Sequence, residues 1–458
     1  MNFVGNVDNV TNVTNVINAI NVINAINVIN EKDPTVTSRE THPESEMMRL
    51  GYDAQLASGA VKPPVYLTST FAFKKVEDAE AYCQVINNLR PQREDEDFSN
   101  TYIYGRDTSP NLAIFEKRLA LWDGGEVCAA FDSGMAAITA VFLGYLNPGD
   151  VILFGEPCYG CTDFVLKSIL TRFGIRPVGY RLIDGNEGIR AALAQPGVAD
   201  HLRMIYAETP SNPTNAMADI GFCVEMARRY SRPDHRAFVA VDNTFLGPLF
   251  QRPFDHGADF TLYSATKYIA GHSDLIAGAC VGPAELMGQV KLMRAMLGTT
   301  ASPHTGWLLT RSLETMKLRM EAQAAGARKV ADYLAGHPAV ERVYYLGLLQ
   351  PGDPQRAVYD KQCLGPGSMI SIDVKGGKAG AFAFLNAVRL FHLAVSLGGN
   401  ESLAEHPATM THAEVDPEDR LEGGITDAMV RLSIGIEHPD DLIADLEQAL
   451  AASQRSSP

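Results

Sequence analysis

The sequence predicts an α/β fold with a mostly parallel central sheet, followed by a smaller α/β domain at the C-terminal end. Short apolar runs alternate with amphipathic stretches between about residues 110 and 300, as in repeated strand–helix units. These runs are continuously apolar, which is typical of strands buried on both faces. The chain has 458 residues, well beyond the roughly 250–300 at which one hydrophobic core stops growing, so we expect at least two domains.

The predicted parts follow one another along the chain. Residues 1–45 are a low-complexity tail with Asn at almost every third position, a period that matches neither helix nor strand. A β-forming, adhesive role for this tail is the alternative. Residues 46–105 have the composition of an irregular arm, with a charged loop at residues 93–97. The large domain is predicted over residues 106–306 and the smaller domain over residues 307–458.

Both domains contain clear helix and strand patterns. Helices are predicted at residues 112–121, 135–146, 307–334 and 439–451. Strands are predicted at residues 151–154, 204–207, 238–242, 258–263, 340–345, 369–374 and 430–435. Open α/β sheets bind ligands outside the carboxyl ends of their strands, so that is where functional residues are expected.

Composition narrows the function and the compartment. The chain carries 54 acidic and 39 basic residues, a net charge of −15, which argues against a nucleic-acid-binding surface. Seven scattered cysteines, an odd number, suit a reducing compartment. No apolar run is long enough to span a membrane, and the N-terminus lacks the pattern of a signal peptide. The expected location is the cytoplasm.

Ser264-Ala-Thr266-Lys267 is the most informative motif. It follows the strand predicted at residues 258–263 and leads into a glycine-containing loop. A lysine at the end of a buried strand is costly unless it is paired or used covalently. Ser264 and Thr266 are short hydroxyl residues suited to holding a phosphate. The combination indicates pyridoxal phosphate (PLP), whose aldehyde condenses with a lysine amine; a surface lysine is the alternative.

Three further segments fit the same cofactor. Residues 132–138 form a turn that opens a helix, where free N–H groups would hold a phosphate. Asp242 ends a predicted strand and could pair with the pyridinium nitrogen, or it could simply cap the next segment. Asn212, in a polar loop, could hydrogen-bond the ring oxygen, or the loop could be an ordinary turn.

Tyr159 lies in a segment with two interpretations. Its ring could stack on a pyridine ring and its hydroxyl could move a proton. Cys158 and Cys161 beside it form a C-x-x-C pattern that is typical of redox or zinc sites. No second cysteine pair lies nearby, so a metal or redox role is disfavoured.

Two arginines have the chemistry of anion binding. Tyr104 and Arg106 together provide a hydroxyl and a guanidinium, a suitable pair for a phosphate. Arg431 lies on a predicted strand, and its forked guanidinium suits the carboxylate of an amino acid. A buried structural ion pair is the alternative for Arg431.

These motifs resemble the transsulfuration (Cys/Met metabolism) family of PLP enzymes, which has the fold-type I, aspartate-aminotransferase-like architecture with helices on both faces of the sheet. The resemblance covers about residues 37–452. It rests on the motifs at residues 208–213, 241–244, 264–272, 396–399, 406–412 and 431–437.

The resemblance implies a role for each candidate residue. Lys267 and Tyr159 would be catalytic. Contacts with PLP are implied for Tyr104, Arg106, Gly134, Met135, Asp242, Ser264, Thr266 and Lys267. Contacts with the substrate are implied for Asn212, Ser396, Arg431, Cys161 and Val395. Tyr104 and Arg106 would reach a neighbouring subunit, which gives a catalytic dimer within a homotetramer.

Local features lean toward the methionine γ-lyases of this family. Tyr159-Gly-Cys161-Thr is similar to their motif. Phe164 stands where cystathionine γ-lyases carry an arginine, and Val395 stands where cystathionine enzymes usually carry a glutamate. An apolar residue at that position suits a simple substrate side chain. The predicted activity is therefore γ-elimination from an L-amino acid, with γ-replacement and a non-enzymatic PLP scaffold as alternatives.

The chain also departs from the methionine γ-lyase pattern. Arg294-Ala295 replaces a Lys-Asp pair, Ser109-Pro110 replaces Asn-Pro, and the loop at residues 93–97 is an insertion. Asp163 adds a carboxylate near the expected pocket wall. It suggests a cationic γ-substituent, as in canavanine, with a surface aspartate as the alternative.

Overall fold

The computed structural model describes residues 41–86 and 89–455, so nearly all of the tail predicted for residues 1–45 lies outside the described residues. Within them the chain forms two sheets, one of seven strands and one of five. The larger sheet is mostly parallel, and helices surround both sheets. This arrangement confirms the predicted α/β fold class.

The larger sheet provides the floor of the candidate site. Its strands are β1 (Val127–Phe131), β2 (Val151–Glu156), β3 (Arg176–Arg181), β4 (Leu202–Glu208), β5 (Phe238–Asp242), β6 (Phe260–Tyr263) and β7 (Gly278–Gly282). Their order is β1-β7-β6-β5-β4-β2-β3. The pairs from β3 to β6 are parallel, whereas β7 is antiparallel to both of its neighbours. The strands predicted here lie close to their predicted bounds.

Helices pack on both faces of the larger sheet. The helices before the smaller sheet are α1 (Pro43–Glu46), α2 (Val76–Ile86), α3 (Pro110–Asp123), α4 (Gly134–Tyr145), α5 (Gly160–Phe164), α6 (Gly185–Leu193), α7 (Ile220–Tyr230), α8 (Gly247–Phe250), α9 (Ala284–Leu297) and α10 (Pro303–Leu313). In β2, Ile152 and Phe154 enter a core shared with α4 and α9, while Val151 and Leu153 enter a core shared with α6 and α7. Burial on both faces explains why the strand reads as one apolar run.

The smaller sheet is largely antiparallel. It contains β8 (Val340–Tyr344), β9 (Met369–Val374), β10 (His392–Leu393), β11 (Leu403–Glu405) and β12 (Met429–Ser433), in the order β10-β11-β12-β9-β8. Its helices are α11 (Met316–Ala335), α12 (Pro354–Gln362), α13 (Gly377–Ala387), α14 (Pro417–Glu422) and α15 (Pro439–Arg455). The predicted division at residue 306 falls within α10, and the position of the domain boundary stays a prediction.

The single helix predicted at residues 307–334 is in fact two helices, α10 and α11. Thr315 separates them with a non-helical backbone, at φ −113° and ψ 5°. The buried Arg319 guanidinium stabilises this break, because it donates to the Ser312 carbonyl at 3.0 Å. It also donates to the Tyr268 carbonyl at 2.9 Å. Through this second hydrogen bond, Arg319 also anchors the loop that carries Lys267.

The arm predicted as irregular at residues 46–105 contains α2, an 11-residue helix. Tyr82 and Val85 give this helix a buried face that a short, mixed sequence did not reveal. In the charged loop at residues 93–97, the Glu96 carboxylate pairs with Arg90 at 2.6 Å. Among the described residues, no helix is both long enough and apolar enough to cross a membrane.

Candidate active site

The candidate site lies where the carboxyl ends of β4, β5 and β6 face the smaller sheet. Lys267 follows β6, and its Nζ donates to the Ser396 hydroxyl at 2.8 Å. Burial is the main cause that lowers the pKa of Lys267 to about 8; Arg431 lowers it further and Glu405 opposes the shift. A lysine with this pKa is partly neutral near neutral pH and can act as a nucleophile or a base.

The start of α4 lies in close contact with the segments on either side of Lys267. A Cβ atom at Gly134, the first residue of α4, would lie 3.0 Å from the Ser264 Cα. A Cβ atom at Gly278 would lie 2.0 Å from the Ser133 carbonyl oxygen. The helix N-terminus and the lysine loop can therefore meet only because glycine occupies these positions. The N–H groups of the first turn of α4 suit a phosphate.

The two hydroxyls of the lysine motif have different surroundings. Ser264 donates its backbone N–H to the Thr244 hydroxyl at 2.8 Å. The Thr266 hydroxyl donates to the Ala277 carbonyl at 3.1 Å and accepts from the Ala277 N–H at 2.9 Å. Thr266 thus closes the loop that carries Lys267. Direct binding of a phosphate by Thr266 stays a prediction, since its proton already has an acceptor.

Asp242 ends β5 in the middle of the site and is buried. Its Oδ1 accepts hydrogen bonds from the Thr244 hydroxyl at 2.6 Å and the Thr244 N–H at 3.0 Å. Its Oδ2 accepts from the Tyr206 hydroxyl at 3.3 Å. Burial raises the pKa of Asp242, and these hydrogen bonds oppose the rise. A cationic ring nitrogen would stabilise the carboxylate in this position.

Glu208 is a site residue to which the sequence assigned no role. It ends β4, in register with Asp242 on β5. Its Oε2 accepts from the Tyr159 N–H at 2.9 Å and its Oε1 accepts from the Asn212 N–H at 2.7 Å. Burial, with Asp242 adding to it, raises the pKa of Glu208 to about 8. This one carboxyl group therefore fixes the backbone of two predicted site residues. The signal for it in the sequence was its place directly after the strand predicted at residues 204–207.

Tyr159 immediately precedes α5, and 37% of its surface is exposed. Burial of the rest, together with Cys161, raises the pKa of Tyr159, so its hydroxyl keeps its proton. Cys158 is buried and Cys161 is exposed, and both are free thiols. The two cysteines of the C-x-x-C pattern thus have different surroundings, and Tyr159 remains available at the surface of the site.

Arg431 lies on β12 and is only 3% exposed. Its Nη1 donates to the Asn212 Oδ1 at 2.9 Å and lies 2.9 Å from the Glu405 Oε1, with which it forms an ion pair. Its Nη2 donates to the Ser396 carbonyl at 2.7 Å, while its buried Nε has no partner among the described residues. A guanidinium has five N–H donors, and the Nε–H and one Nη2–H have no hydrogen bond among the described residues. Donors therefore remain that suit a carboxylate.

Ser396 joins the lysine side of the site to the arginine side. Its hydroxyl accepts from Lys267 and its carbonyl accepts from Arg431. Its φ of +85° places a non-glycine residue in the left-handed region. Such strain persists when surrounding contacts hold it, and it is concentrated at functional sites. Val395, the residue before it, is 51% exposed and can contribute an apolar wall.

Comparison with known proteins agrees with this geometry. The family model for Cys/Met metabolism PLP-dependent enzymes matches residues 44–451. The chain belongs to this family. It is 41% identical to an L-methionine gamma-lyase of Pseudomonas putida over 88% of this chain and 96% of the relative. It is 35% identical to an O-succinylhomoserine sulfhydrylase of Pseudomonas aeruginosa over 85% of this chain and 90% of the relative.

A solved member of the Cys/Met metabolism family has the same fold. The cystathionine gamma synthase of Xanthomonas oryzae pv. oryzae, in complex with cystathionine, superposes with a TM-score of 0.80. It is 35% identical and covers 91% of this chain and 100% of that chain. The resemblance predicted from the motifs, the fold-type I architecture and the PLP cofactor are therefore confirmed.

The residues of the site fit the family's cofactor. Lys267 provides an amine of lowered pKa, Asp242 provides a buried carboxylate, and the missing side chain at Gly134 lets Ser264 lie against a helix N-terminus. Asn212 uses its Oδ1 for Arg431, so its side-chain NH₂ is the group that could donate to the ring oxygen. The individual contacts between these residues and PLP stay predictions.

Tyr104 and Arg106 are not joined to this site within one chain. Tyr104 is 45% exposed and bridges to Thr70. Arg106 donates to the Ala295 carbonyl at 3.3 Å, and its own carbonyl accepts from Thr300 at 2.6 Å. Within the described residues, no hydrogen bond links either side chain to Lys267 or the other site residues. Their contribution to a neighbouring site stays a prediction.

The departures from the methionine γ-lyase pattern have local explanations. Ser109 caps α3 by accepting from the Leu112 N–H, as a serine or an asparagine can. Arg294 pairs with the buried Glu116 at 2.6 Å. Asp163 pairs with Lys167 at 2.8 Å. The carboxylate that suggested a cationic substrate therefore already has an ammonium partner.

Proposed function

We propose that this chain is a PLP-dependent γ-lyase that removes the γ-substituent of methionine or a closely related L-amino acid. The observation that carries the proposal is the link through Ser396, which holds the Lys267 amine and the Arg431 guanidinium side by side. This pairing suits an amino acid, whose amine and carboxylate lie on the same carbon. The similarity to the P. putida methionine gamma-lyase supports elimination.

The protein groups divide the reaction between them. PLP, when bound, supplies an electron sink that stabilises negative charge at the substrate α-carbon. The Nε–H and the remaining Nη2–H of Arg431 would bind the substrate carboxylate. Lys267 would accept the α-proton of the bound substrate through Nζ, because its low pKa leaves it partly neutral.

Tyr159 and a second proton loss complete the elimination. Lys267 Nζ, after it has given up the α-proton, would take a β-proton, and this loss allows the γ-substituent to leave. The Tyr159 hydroxyl keeps its proton at neutral pH and can donate it to the departing sulfur. For methionine, addition of one water then yields methanethiol, 2-oxobutanoate and ammonia, which balances all atoms.

The pocket wall favours an uncharged γ-substituent. Val395 is half-exposed beside Ser396 and carries no charge. Phe164, 48% exposed, is likewise apolar. Asp163 lies 2.8 Å from Lys167, an ammonium that it shares with Glu156 and Asp419, so it already has a cationic partner. A thioether is therefore the proposed substituent, and canavanine serves as a comparison substrate.

γ-Replacement is the second candidate function. The similarity to a cystathionine gamma synthase and to an O-succinylhomoserine sulfhydrylase favours it. Both reactions require the same lysine, the same carboxylate-binding arginine and the same loss of the γ-substituent. They differ in whether a thiol or water completes the reaction.

Release of 2-oxobutanoate by the purified PLP-loaded protein tests the proposal. The substrates are methionine, homocysteine, cystathionine, canavanine and O-acetylhomoserine, each with and without cysteine, and homoserine is measured as a further product. The proposal predicts 2-oxobutanoate from methionine without a thiol. Turnover only in the presence of cysteine, with a new thioether, would establish γ-replacement instead.

We also infer that the enzyme works as a dimer of catalytic dimers in the cytoplasm. The exposed Tyr104 and the neighbouring Arg106 would complete the phosphate site of the facing subunit. The support is that their contacts in one chain lead to Thr70, Ala295 and Thr300 rather than to Lys267. Size determination in solution tests the tetramer.

A further inference from the structure

A buried glutamate lies directly behind the carboxylate-binding arginine. Glu405 is the last residue of β11, and it faces Arg431 in the antiparallel register of β11 and β12. Its side chain is 1% exposed, and its Oε1 lies 2.9 Å from Arg431 Nη1. This ion pair is thus formed between neighbouring strands of the smaller sheet, not by a flexible loop.

The ion pair uses one side of each partner. The Thr411 hydroxyl donates to the same Glu405 Oε1 at 2.8 Å, whereas Oε2 has no partner among the described residues. On Arg431, Glu405 and Asn212 lie at Nη1 and the Ser396 carbonyl accepts from Nη2, while Nε has no partner among the described residues. A structural ion pair would be most stable with two parallel hydrogen bonds. The observed pairing instead leaves the Nε–H and one Nη2–H of Arg431 without a hydrogen bond.

We propose that Glu405 is a positioning residue that sets the strength with which Arg431 binds the substrate carboxylate. It holds the guanidinium at Nη1, which leaves the Nε–H and one Nη2–H to bind the substrate carboxylate. Its negative charge also offsets the positive charge of Arg431, which keeps carboxylate binding moderate. The inference rests on the proposed role of Arg431, and it goes further by assigning a tuning function to a residue that does not touch the substrate.

Moderate binding has a consequence for turnover. The substrate and a 2-oxo acid product both carry a carboxylate, so an arginine with no counter-charge would retain both. Uniformly tighter binding lowers KM without accelerating the chemical step. Replacing Glu405 by a neutral residue of the same shape should therefore lower KM and leave kcat unchanged or reduced.

The other charged groups around Arg431 do not replace Glu405. Burial, with Arg431 adding to it, lowers the pKa of His412 to about 4, so that ring is neutral at neutral pH. Burial raises the pKa of Glu208 to about 8, so it carries little negative charge there. Lys267 adds positive charge and His406 lies next to Glu405 in the chain. Glu405 is thus the main counter-charge of Arg431 among the described residues.

Butanoate is a suitable probe because it has the carboxylate of the substrate but no amine. Its dissociation constant is measured by calorimetry with the PLP-loaded protein, for the wild type and for Glu405→Gln. Glutamine keeps an oxygen to accept from Arg431 and Thr411 while removing the charge. Removal of the negative charge strengthens the attraction between Arg431 and a carboxylate in a partly buried site. Glu405→Gln should therefore bind butanoate at least about tenfold more tightly than the wild type does.

Glu437→Gln is the matched control. Glu437 also lies in the C-terminal part of the chain, and it accepts from the Ser402 N–H at 2.7 Å and the Ser402 hydroxyl at 2.8 Å, without an arginine. Its replacement should leave butanoate binding within about twofold of the wild type. n-Butylamine, which lacks a carboxylate, should bind equally to all variants.

The results separate the possible roles of Glu405. Unchanged or weaker butanoate binding in a folded, PLP-loaded E405Q protein overturns the proposal. If E405Q does not load PLP, Glu405→Asp is used instead. This variant keeps the negative charge, so it should not bind butanoate more tightly than the wild type. Tighter butanoate binding by Glu405→Asp would contradict the proposal. Butanoate binding requires no turnover, so an enzyme that fails to cleave methionine would refute the proposed function without deciding the role of Glu405.

Discussion

The lysine side and the arginine side of the site are built in different ways. On the lysine side, Glu208 and Asp242 end adjacent parallel strands of the larger sheet, and Lys267 follows the next strand. On the arginine side, Arg431 lies within an antiparallel strand, and its partners come from distant segments. The lysine side can therefore be read in short motifs, whereas the arginine side depends on long-range packing.

The electrostatics of the two sides also differ. The Glu208 carboxyl accepts only neutral N–H groups, and burial raises its pKa to about 8. Burial also raises the pKa of Glu405, but the guanidinium of Arg431 opposes that rise. Burial thus raises the pKa of both carboxyl groups, and at Glu405 the neighbouring arginine is the main cause that opposes the rise. The following predictions test this contrast, from the largest effect to the smallest.

Replacing Lys267 by alanine should have the largest effect. The variant loses the group that holds the cofactor and accepts the α-proton, so kcat should fall by about 10³-fold or more. The measurement is 2-oxobutanoate release after incubation with PLP. Lys361→Ala, which removes a surface lysine paired with Asp219 at 2.6 Å, should retain wild-type activity; residual activity in K267A within tenfold of wild type would remove Lys267 from its role.

Replacing Arg431 by alanine should affect both binding and stability. Loss of the guanidinium, which is proposed to bind the substrate carboxylate, should lower kcat/KM for methionine by about 10²-fold. It also leaves Glu405 buried without its counter-charge, which should cost about 3–5 kcal/mol in the free energy of unfolding. Adding Glu405→Gln should recover part of that stability but not the activity. A double variant as unstable as R431A in urea unfolding would argue against the buried ion pair.

Mixing inactive subunits should test whether Tyr104 and Arg106 act across an interface. K267A and Arg106→Ala subunits are unfolded and refolded together. In a two-fold symmetric catalytic dimer, random mixing restores about a quarter of wild-type sites, because each hybrid dimer has one intact site. Recovery should be absent when either variant is refolded alone. No recovery in the mixture would place Arg106 and Lys267 in the same subunit's site.

Glu208→Gln should reveal the raised pKa through the stability of the PLP-free protein. A carboxyl group whose pKa is raised on folding stabilises the protein while it is protonated in both states. That contribution is lost as the pH rises from its ordinary value of 4.5 to about 8. The wild-type Tm should therefore fall more than the E208Q Tm over this pH range. Parallel pH dependence in both proteins would mean that Glu208 is not the responsible group.

The sequence predicted the fold, and it predicted that Asp242 and Lys267 lie at the ends of strands, for physical reasons. Buried parallel strands form continuous apolar runs, and strand-end residues such as Asp242 and Lys267 stand next to them in the chain. The break between α10 and α11 was not predicted, because the buried Arg319 that stabilises it binds carbonyls in a distant loop. Local periodicity does not contain that contact.

Side-chain partnerships were the least predictable part of the site. Asp163 was interpreted as a candidate for binding a cation, but its partner Lys167 lies one helical turn further on, a spacing that sequence alone could have suggested. Glu405 stands next to a recognised motif, yet its pairing with Arg431 requires the register of β11 and β12. The pairing of Glu405 with Arg431 can be recognised only when strands that are separated along the chain are placed side by side.

The most direct test of the central claim is the stoichiometry of methionine turnover by the PLP-loaded wild-type protein in the absence of any added thiol. The proposed γ-elimination predicts methanethiol, 2-oxobutanoate and ammonia in equal amounts. Absence of 2-oxobutanoate from methionine, together with thioether formation only when cysteine and an activated homoserine are supplied, would contradict it.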